Sequence, residues 1–233
     1  MSSNQWLMYV KTAKEYDRLE TTLEGIPEFW IDWVEKQVKS AEKRGIKIDN
    51  QLSYRIASLW NGIVLLQESK FICDTVENAL RKAVEDFIFK NSLSYQQLII
   101  PNWKRISIEV EQLPNGPSIS IILKHMTFYE LCGLINKNWS GIPKFNRSVT
   151  GLCTIFWNSF ECRDKNMFIS DMGFIRRERN RIAHSKELFK SSDTQKLYKI
   201  SCRWLKPLNV ELKERILSYR NIRPNFLNDL HLT

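Results

Sequence analysis

Glycine and proline are scarce in this chain, and that scarcity constrains the fold more than any other feature. The 233 residues contain eight glycines and seven prolines. These two residues interrupt helices most strongly, and sandwiches and barrels use them in their many turns. Hydrophobic residues make up 43% of the sequence, enough for a sizeable core. The composition therefore predicts a folded, mainly α-helical protein.

Hydrophobic periodicity predicts helices along most of the chain. In the first 66 residues we expect two helices broken near Gly25-Ile26-Pro27, the second from Glu28 to Lys43, and then a helix over about 52–66. The other predicted helices are 68–90, 127 to about 140 with Thr127 and Glu130 as a capping box, 149–162, 171–189 capped by Ser170 or Asp171, and 194–205. A further short amphipathic segment is expected after Asn209.

One segment departs from the helical pattern. Apolar residues there alternate with polar ones: Ile106, Ile108, Val110, Ile119, Ile121 and Leu123. The segment Pro114-Asn115-Gly116-Pro117 lies between the two runs and is typical of a turn. Alternation on both sides of a turn predicts a β-hairpin inserted at about 104–123.

The chain is basic, and the excess is concentrated near its end. There are 35 Lys and Arg against 26 Asp and Glu, a formal net charge of +9. Residues 163–190 hold eight basic and four acidic side chains, and 195–223 hold eight and two. A local excess of this size favours a polyanionic partner such as nucleic acid, although ordinary solubility charge is the simpler interpretation.

Several features predict a cytoplasmic protein that binds no membrane, metal or cofactor. The five cysteines form no C-x-x-C pair, so neither a zinc site nor a disulfide framework is expected. No apolar run approaches the length of a membrane span. The N-terminus also lacks the basic and then apolar order of a secretion signal.

The segment Arg179-Asn180-Arg181-Ile182-Ala183-His184 places an arginine and a histidine five residues apart in a basic helix. It resembles the R-x4-6-H motif of the HEPN superfamily, in the form with Asn directly after Arg. Upstream, Glu77-Asn78-Ala79-Leu80-Arg81 resembles the E-x-x-L-R stretch of the first HEPN helix. Thr127-Phe128-x-x-Leu131, followed by Asn138-Trp139, is similar to the second-helix region of the abortive-infection and Swt1-like branches.

The resemblance implies a HEPN domain over 67–208, built as an up-and-down helical bundle around the β-hairpin insertion. Residues 1–66 would then be an extra N-terminal helical region for scaffolding or interaction, and 209–233 a basic C-terminal tail. HEPN proteins dimerise, so that arginine and histidine of both protomers line one cleft. Most are ribonucleases of toxin–antitoxin or anti-phage systems, which implies RNA and an antitoxin or defence-complex protein as partners.

The motif also has a chemical reading of its own. RNA carries its nucleophile, the 2′-OH, beside the scissile phosphate, so cleavage needs proton transfer and positive charge rather than a metal. His184 would be the acid or base, Arg179 the transition-state stabiliser, and Asn180 would orient the site. Arg177 and Arg181 would hold the RNA backbone. The predicted product ends are a 2′,3′-cyclic phosphate and a 5′-OH.

Helical geometry adds a constraint on this site. Five residues place His184 about 140° around the helix from Arg179, so one straight helix does not aim both side chains at one atom. Either the helix deforms, or each site takes residues from two helices. A symmetric homodimer supplies the second helix.

Other interpretations remain open for the chain and for single residues. It is alternatively a non-catalytic HEPN module that binds RNA or a partner protein, or a basic helical DNA-binding protein, although no clear helix-turn-helix is visible. A solvated or structural histidine is the plain interpretation of His184, and an intrahelical ion pair that of Arg179. Glu77 is expected to pair with an arginine rather than to act as a catalyst, and His125 is expected to be structural.

Overall fold

The fold is mainly helical, as the scarcity of helix-breaking residues predicts. The computed structural model describes residues 28–48, 51–112, 117–142, 150–159, 162, 164–184 and 191–222. Its α-helices are α1 (Glu28–Lys43), α2 (Gln51–Lys90), α3 (Trp103–Val110), α4 (Ile119–His125), α5 (Phe128–Lys137), α6 (Lys165–His184), α7 (Ser191–Leu208) and α8 (Val210–Ile222). Short 3₁₀ helices lie at Tyr95–Gln97 and Leu152–Phe156. The helix expected before Gly25 lies outside the described residues.

The predicted β-hairpin is wrong. Its two arms are the helices α3 and α4, while residues 113–116 of its turn lie outside the described part. Ile106 and Val110, four residues apart, are both fully buried, whereas Ile108 is 57% exposed. A spacing of four fits one face of a helix as well as one face of a strand, so the alternation was ambiguous. Across the described ranges, the β pairing is limited to an isolated bridge between Gly141 and Thr150.

Helix α2 replaces the two helices expected over 52–66 and 68–90. The polar residues at the expected break do not end a helix, because Glu68 and Ser69 are themselves buried and neither glycine nor proline stands there. Although α2 has 40 residues, no described helix is both long and apolar enough to cross a membrane.

Three other helix predictions need correction, and two are confirmed. The helix expected over 149–162 is only the 3₁₀ helix Leu152–Phe156. Helix α6 starts at Lys165, not 171, because Asp164 caps it by accepting the amides of Asn166 and Met167 at 2.7 and 3.3 Å. Helix α7 extends from Ser191 to Leu208 and holds Pro207 in its last turn. The bounds of α1 and the capping box of Thr127 and Glu130 are as predicted.

The chain forms two compact units, and four helices, α2, α6, α7 and α8, contribute to both. Among the described residues, the first unit contains those up to Lys70, Asn180 to Thr194 and those from Tyr219 onward. The second contains Phe71–Arg179 and Gln195–Ser218. The three regions expected from the sequence, 1–66, 67–208 and 209–233, remain a prediction.

The first unit is held by the packing of α1 on the beginning of α2. Two apolar clusters form there: Trp33, Val34 and Leu59 with Ile63 and Leu66, and Val38, Ala41 and Tyr54 with Ile46 and Ile48. Arg55 on α2 also pairs with Glu35 on α1, at 2.8 Å between Nε and Oε1.

An aromatic core fixes the first part of α6 within the second unit. Phe156, Phe168 and Trp204 are fully buried, and their ring centroids lie 5.0–5.6 Å apart. Asp171 lies on α6 beside this core, where it accepts hydrogen bonds at 2.8 Å from Arg203 and from the Trp204 indole. Asp171, which was expected to be the N-cap, therefore lies within α6 and binds α7 through these two hydrogen bonds.

Candidate active site

The Arg-to-His motif forms the last turns of α6. The boundary between the two units falls inside it, because Arg179 belongs to the second unit and Asn180 to the first. Arg177 and Arg179 are therefore described with the second unit, and Asn180, Arg181 and His184 with the first.

Arg179 pairs with Glu77, which lies on α2. The distance from Arg179 Nε to Glu77 Oε2 is 3.1 Å. The Arg179 side chain is 41% exposed, whereas that of Glu77 is only 10% exposed. Among the described residues this ion pair is the one polar partner of Arg179, and its terminal amino groups donate to none of them. The guanidinium is thus anchored at one edge and open at the other.

Glu77 is fixed from the opposite side by Arg81, one turn further along α2. The Arg81 guanidinium donates to the Glu77 carboxylate and to the backbone carbonyls of Leu123 and Met126, the last at 2.6 Å. Those carbonyls belong to the last turn of α4 and the residue that follows it. A continuous series of bonds therefore leads from the backbone through Arg81 and Glu77 to Arg179.

Cys73 lies one turn before Glu77 on α2. Its thiol is buried and contacts the carbonyl of Ile175 on α6. Burial raises the pKa of the Cys73 thiol to about 12. It is therefore protonated at neutral pH and is not a nucleophile.

Arg177 lies on the exposed part of α6, against an aromatic ring. Its guanidinium carbon is 6.0 Å from the centroid of Phe174, and Lys196 Nζ is 4.6 Å from the same centroid. No carboxylate that the structure describes pairs with Arg177. Its charge is thus available to a polyanion.

In the first unit, Arg181 has a carboxylate partner. Its Nη1 lies 3.2 Å from Asp193 Oδ2, and the two side chains are 23% and 25% exposed. Asn180 is exposed. His184 is the last residue of α6, and only its backbone is among the parts that the structure describes.

Some of these contacts were predictable from the sequence, and others were not. The expectation that Glu77 pairs with an arginine is confirmed, and its bonding to Arg81 follows the helical spacing of four. The expected intrahelical partner of Arg179 is replaced by Glu77 on another helix. Asp193 was missed, because no local spacing connects it with Arg181. His125 pairs with Glu109 at 3.0 Å, a partner that the sequence alone did not indicate.

Comparisons with known proteins add no family. No protein-family model matches the chain, and neither a curated protein nor a solved structure matches it. Within the described ranges, no group of three or more His, Cys, Asp or Glu residues is placed to hold a metal ion.

Proposed function

We propose that this protein is a metal-independent endoribonuclease of the HEPN type. The observation that carries the proposal is the half-engaged guanidinium of Arg179, which is anchored through Nε and has no partner at its terminal amino groups among the described residues. A planar, permanently charged group with two free donors matches two oxygens of one phosphate. Arg177, which is exposed and pairs with no carboxylate in the described ranges, adds positive charge two residues away.

The proposed reaction is a transesterification within the RNA strand. A base removes the proton of the 2′-OH, the 2′ oxygen bonds to phosphorus, and the bond from phosphorus to the 5′ oxygen breaks as an acid donates a proton to that oxygen. Arg179 donates to the non-bridging oxygens as their negative charge grows. His184 is the acid or the base in these proton transfers, and Asn180 orients the site. The products carry a 2′,3′-cyclic phosphate and a 5′-OH.

Two further residues and a second protomer complete the proposal. Arg177 and Arg181 contact the RNA backbone, and Arg181 contributes less because Asp193 already neutralises it. The active species is a homodimer in which Arg179 of one protomer acts with His184 of the other. The setting we propose is a cytoplasmic toxin or anti-phage effector, controlled by an antitoxin or a defence-complex partner.

The chemistry is tested by cleavage of end-labelled RNA with purified protein. We expect wild-type cleavage to persist in EDTA, the product ends given above, and complete resistance of RNA with 2′-deoxyribose at the cut site. His184→Ala should lower the rate by about 10²–10⁴-fold. The matched control His125→Ala removes a histidine whose role is an exposed ion pair and should cut normally. A requirement for added Mg²⁺, or an active His184→Ala protein, would overturn the mechanism.

The composite dimer is tested by mixing two inactive variants, Arg179→Ala and His184→Ala, and letting subunits exchange. If each site uses Arg179 and His184 from different protomers, every heterodimer has one intact site. Half of the dimers are heterodimers at equal mixing, so the mixture should recover about a quarter of wild-type activity. If one protomer supplies both residues, no site is intact and no activity returns. RNA binding without cleavage by wild type would favour the non-catalytic module instead.

A further inference from the structure

A pocket in the second unit lies between α5, the first half of α6 and the Pro101-Asn102 turn. Its volume is about 390 Å³, within the usual range for small-molecule sites, roughly 300–1,000 Å³. Phe168 and Met172 form a buried apolar floor, and the partly buried Cys132 lines one wall. Burial raises the pKa of the Cys132 thiol to about 12, so this wall is uncharged at neutral pH.

Two large apolar side chains are left exposed at the same pocket. Tyr129 is 58% exposed and Ile169 is 46% exposed, although both stand beside a well-packed core. Exposed apolar surface around a cavity is typical of a binding site. A flat, partly apolar ligand would cover both residues.

The rim of the pocket is cationic. Arg176 and Lys137 both line it, and neither pairs with a carboxylate that the structure describes. The Arg176 guanidinium carbon lies 4.8 Å from the centroid of the Tyr129 ring, which holds the charge in place. Asn136 lies in the wall, and its Oδ1 is buried without a hydrogen-bond donor among the described residues. The pocket thus combines an apolar floor with an amide oxygen and two cations that have no polar partner in the described part of the chain.

The pocket adjoins the candidate catalytic arginine. Arg176 precedes Arg179 by three residues on α6, and both belong to the second unit. Residues three positions apart lie on one face of a helix, with about 5–6 Å between their Cβ atoms. The pocket and Arg179 are therefore neighbours on one face of α6.

We propose that this pocket binds one nucleotide of the RNA substrate, with its base against the exposed Tyr129 and Ile169 and its phosphate on Arg176 and Lys137. This inference rests on the proposed function, because it places the nucleotide next to the phosphate bound by Arg179. Asn136 contacts the edge of the base, so the pocket contributes to the choice of cleavage site. The chemistry is that of single-strand recognition, where bases leave the stack and enter protein pockets.

The test measures binding of the four nucleoside 5′-monophosphates to the full-length protein by calorimetry at low salt. We expect at least one of them to bind at least about tenfold more tightly than both orthophosphate and the matching nucleoside, because base and phosphate sites act together.

Two substitutions address the pocket directly. Gly173 lines it, and a Cβ atom there would meet nothing closer than Arg177 Nη1 at 3.8 Å. Gly173→Leu therefore fills the cavity while a side chain is tolerated on the helix, and nucleotide binding should be lost. Arg176→Gln removes the rim charge and should weaken binding by at least about tenfold. The matched control Lys199→Gln removes one exposed charge from α7, outside the pocket, and should bind normally.

The outcomes separate the pocket from the proposed reaction. Nucleotide binding that disappears in Gly173→Leu supports the pocket even if no RNA is cut, and the proposed function then fails alone. Wild type that binds nucleotides no better than orthophosphate overturns the pocket even if RNA is cleaved. Should Gly173→Leu not fold, Arg176→Gln decides, and unchanged binding by that variant overturns the proposal.

Discussion

Two arginines of the second unit, Arg105 and Arg179, have equal exposure and different surroundings. Each side chain is 41% exposed, and each pairs with a glutamate that is 10% exposed or less. Arg105 uses all three nitrogens of its guanidinium. Nε and Nη2 donate to Glu130 at 3.0 and 2.5 Å, Nη2 also donates to the His125 carbonyl, and Nη1 donates to Glu109 at 2.7 Å. Arg179 uses Nε alone among the described residues.

Glu130 and Glu77, the partners of these two arginines, also differ in how they are held in the fold. Burial opposes ionisation of Glu130, but hydrogen bonds from Arg105, Thr127 and Asn102 outweigh it and lower its pKa to about 2. Those bonds tie the start of α5 to α3. Glu77 instead lies between Arg81, which is bound to backbone, and Arg179, which is not.

The comparison teaches that exposure alone does not separate a structural arginine from a candidate catalytic one. What separates them is how many donors the fold already uses. Arg105 uses four of its five N–H donors, whereas Arg179 is positioned by its fold and, among the described residues, keeps both terminal amino groups for a ligand.

The largest effect is expected for Arg179→Ala in RNA cleavage. Loss of one positioned donor to a developing oxyanion costs about 10²–10³-fold in kcat. The free energy of unfolding should change by less than about 1 kcal/mol, because the lost ion pair is partly exposed and Arg81 still balances Glu77. Single-turnover cleavage and urea denaturation measure the two quantities. Loss of activity caused by unfolding would remove Arg179 from the candidate site.

Arg105→Ala should behave in the opposite way. It leaves the carboxylate of Glu130, 3% exposed, without its main cation. Breaking a fully buried pair costs roughly 3–5 kcal/mol, and we expect about 2 kcal/mol here because Arg105 itself is partly solvated. Urea denaturation should show this loss, with Arg179→Ala as the control of equal exposure. If both variants lost the same free energy of unfolding, the distinction between a structural Arg105 and a candidate catalytic Arg179 would be wrong.

Acid should lower the free energy of unfolding, because it protonates Glu130. The pKa of Glu130 falls from 4.5 to about 2 on folding, so its charge stabilises the fold above pH 4.5 and that contribution is lost as the pH falls toward 2. Linkage gives a loss of about 2 kcal/mol between pH 7 and pH 3. Urea denaturation at both pH values measures it, and Glu130→Gln should lose less stability over this range by that amount. If the stability of wild type and of Glu130→Gln depended equally on pH, the loss of stability in acid could not be assigned to Glu130.

Much of the helical fold was predictable, and the failure of the β-hairpin prediction has a clear physical origin. Scarce glycine and proline predicted long helices, and the Thr127 capping box predicted the start of α5 correctly. The hairpin failed because Ile106 and Val110 satisfy both a period of two and a spacing of four. In α4, Ile119, Ile122 and Leu123 are the buried residues, and this helical spacing was obscured by the alternation of Ile119, Ile121 and Leu123. Periodicity is therefore weakest in short segments.

The candidate site was predictable in its residue types but not in its pairings. The spacing of four between Glu77 and Arg81 can be read from the sequence. The pairings of Glu77 with Arg179 and of Arg105 with Glu130 join residues on different helices. Such contacts depend on how helices pack, which local patterns do not specify. For the same reason, the pocket beside Arg176 left no sequence signal.

Glu77→Gln should affect cleavage through Arg179. The amide keeps the shape of the side chain but lacks the charge that holds the Arg179 guanidinium, so we expect kcat to fall about tenfold with little change in KM. In an Arg179→Ala background the same substitution should have no further effect on cleavage, because the residue it positions is absent. Single-turnover kinetics of the two single variants and the double variant test this. Additive losses would assign Glu77 a role independent of Arg179.

The smallest effect is expected for Glu109→Gln, which removes the outer partner of Arg105. Glu109 is 42% exposed and binds Arg105 Nη1 and His125 Nδ1, at 2.7 and 3.0 Å. Ion pairs in solvent contribute little, because water already solvates both charges. Arg105 also keeps both bonds to Glu130 and the one to the His125 carbonyl. The urea midpoint should therefore stay within experimental error of wild type, while Glu130→Gln lowers it clearly. A loss in Glu109→Gln as large as in Glu130→Gln would mean that the exposed carboxylate, not the buried one, holds Arg105 in place.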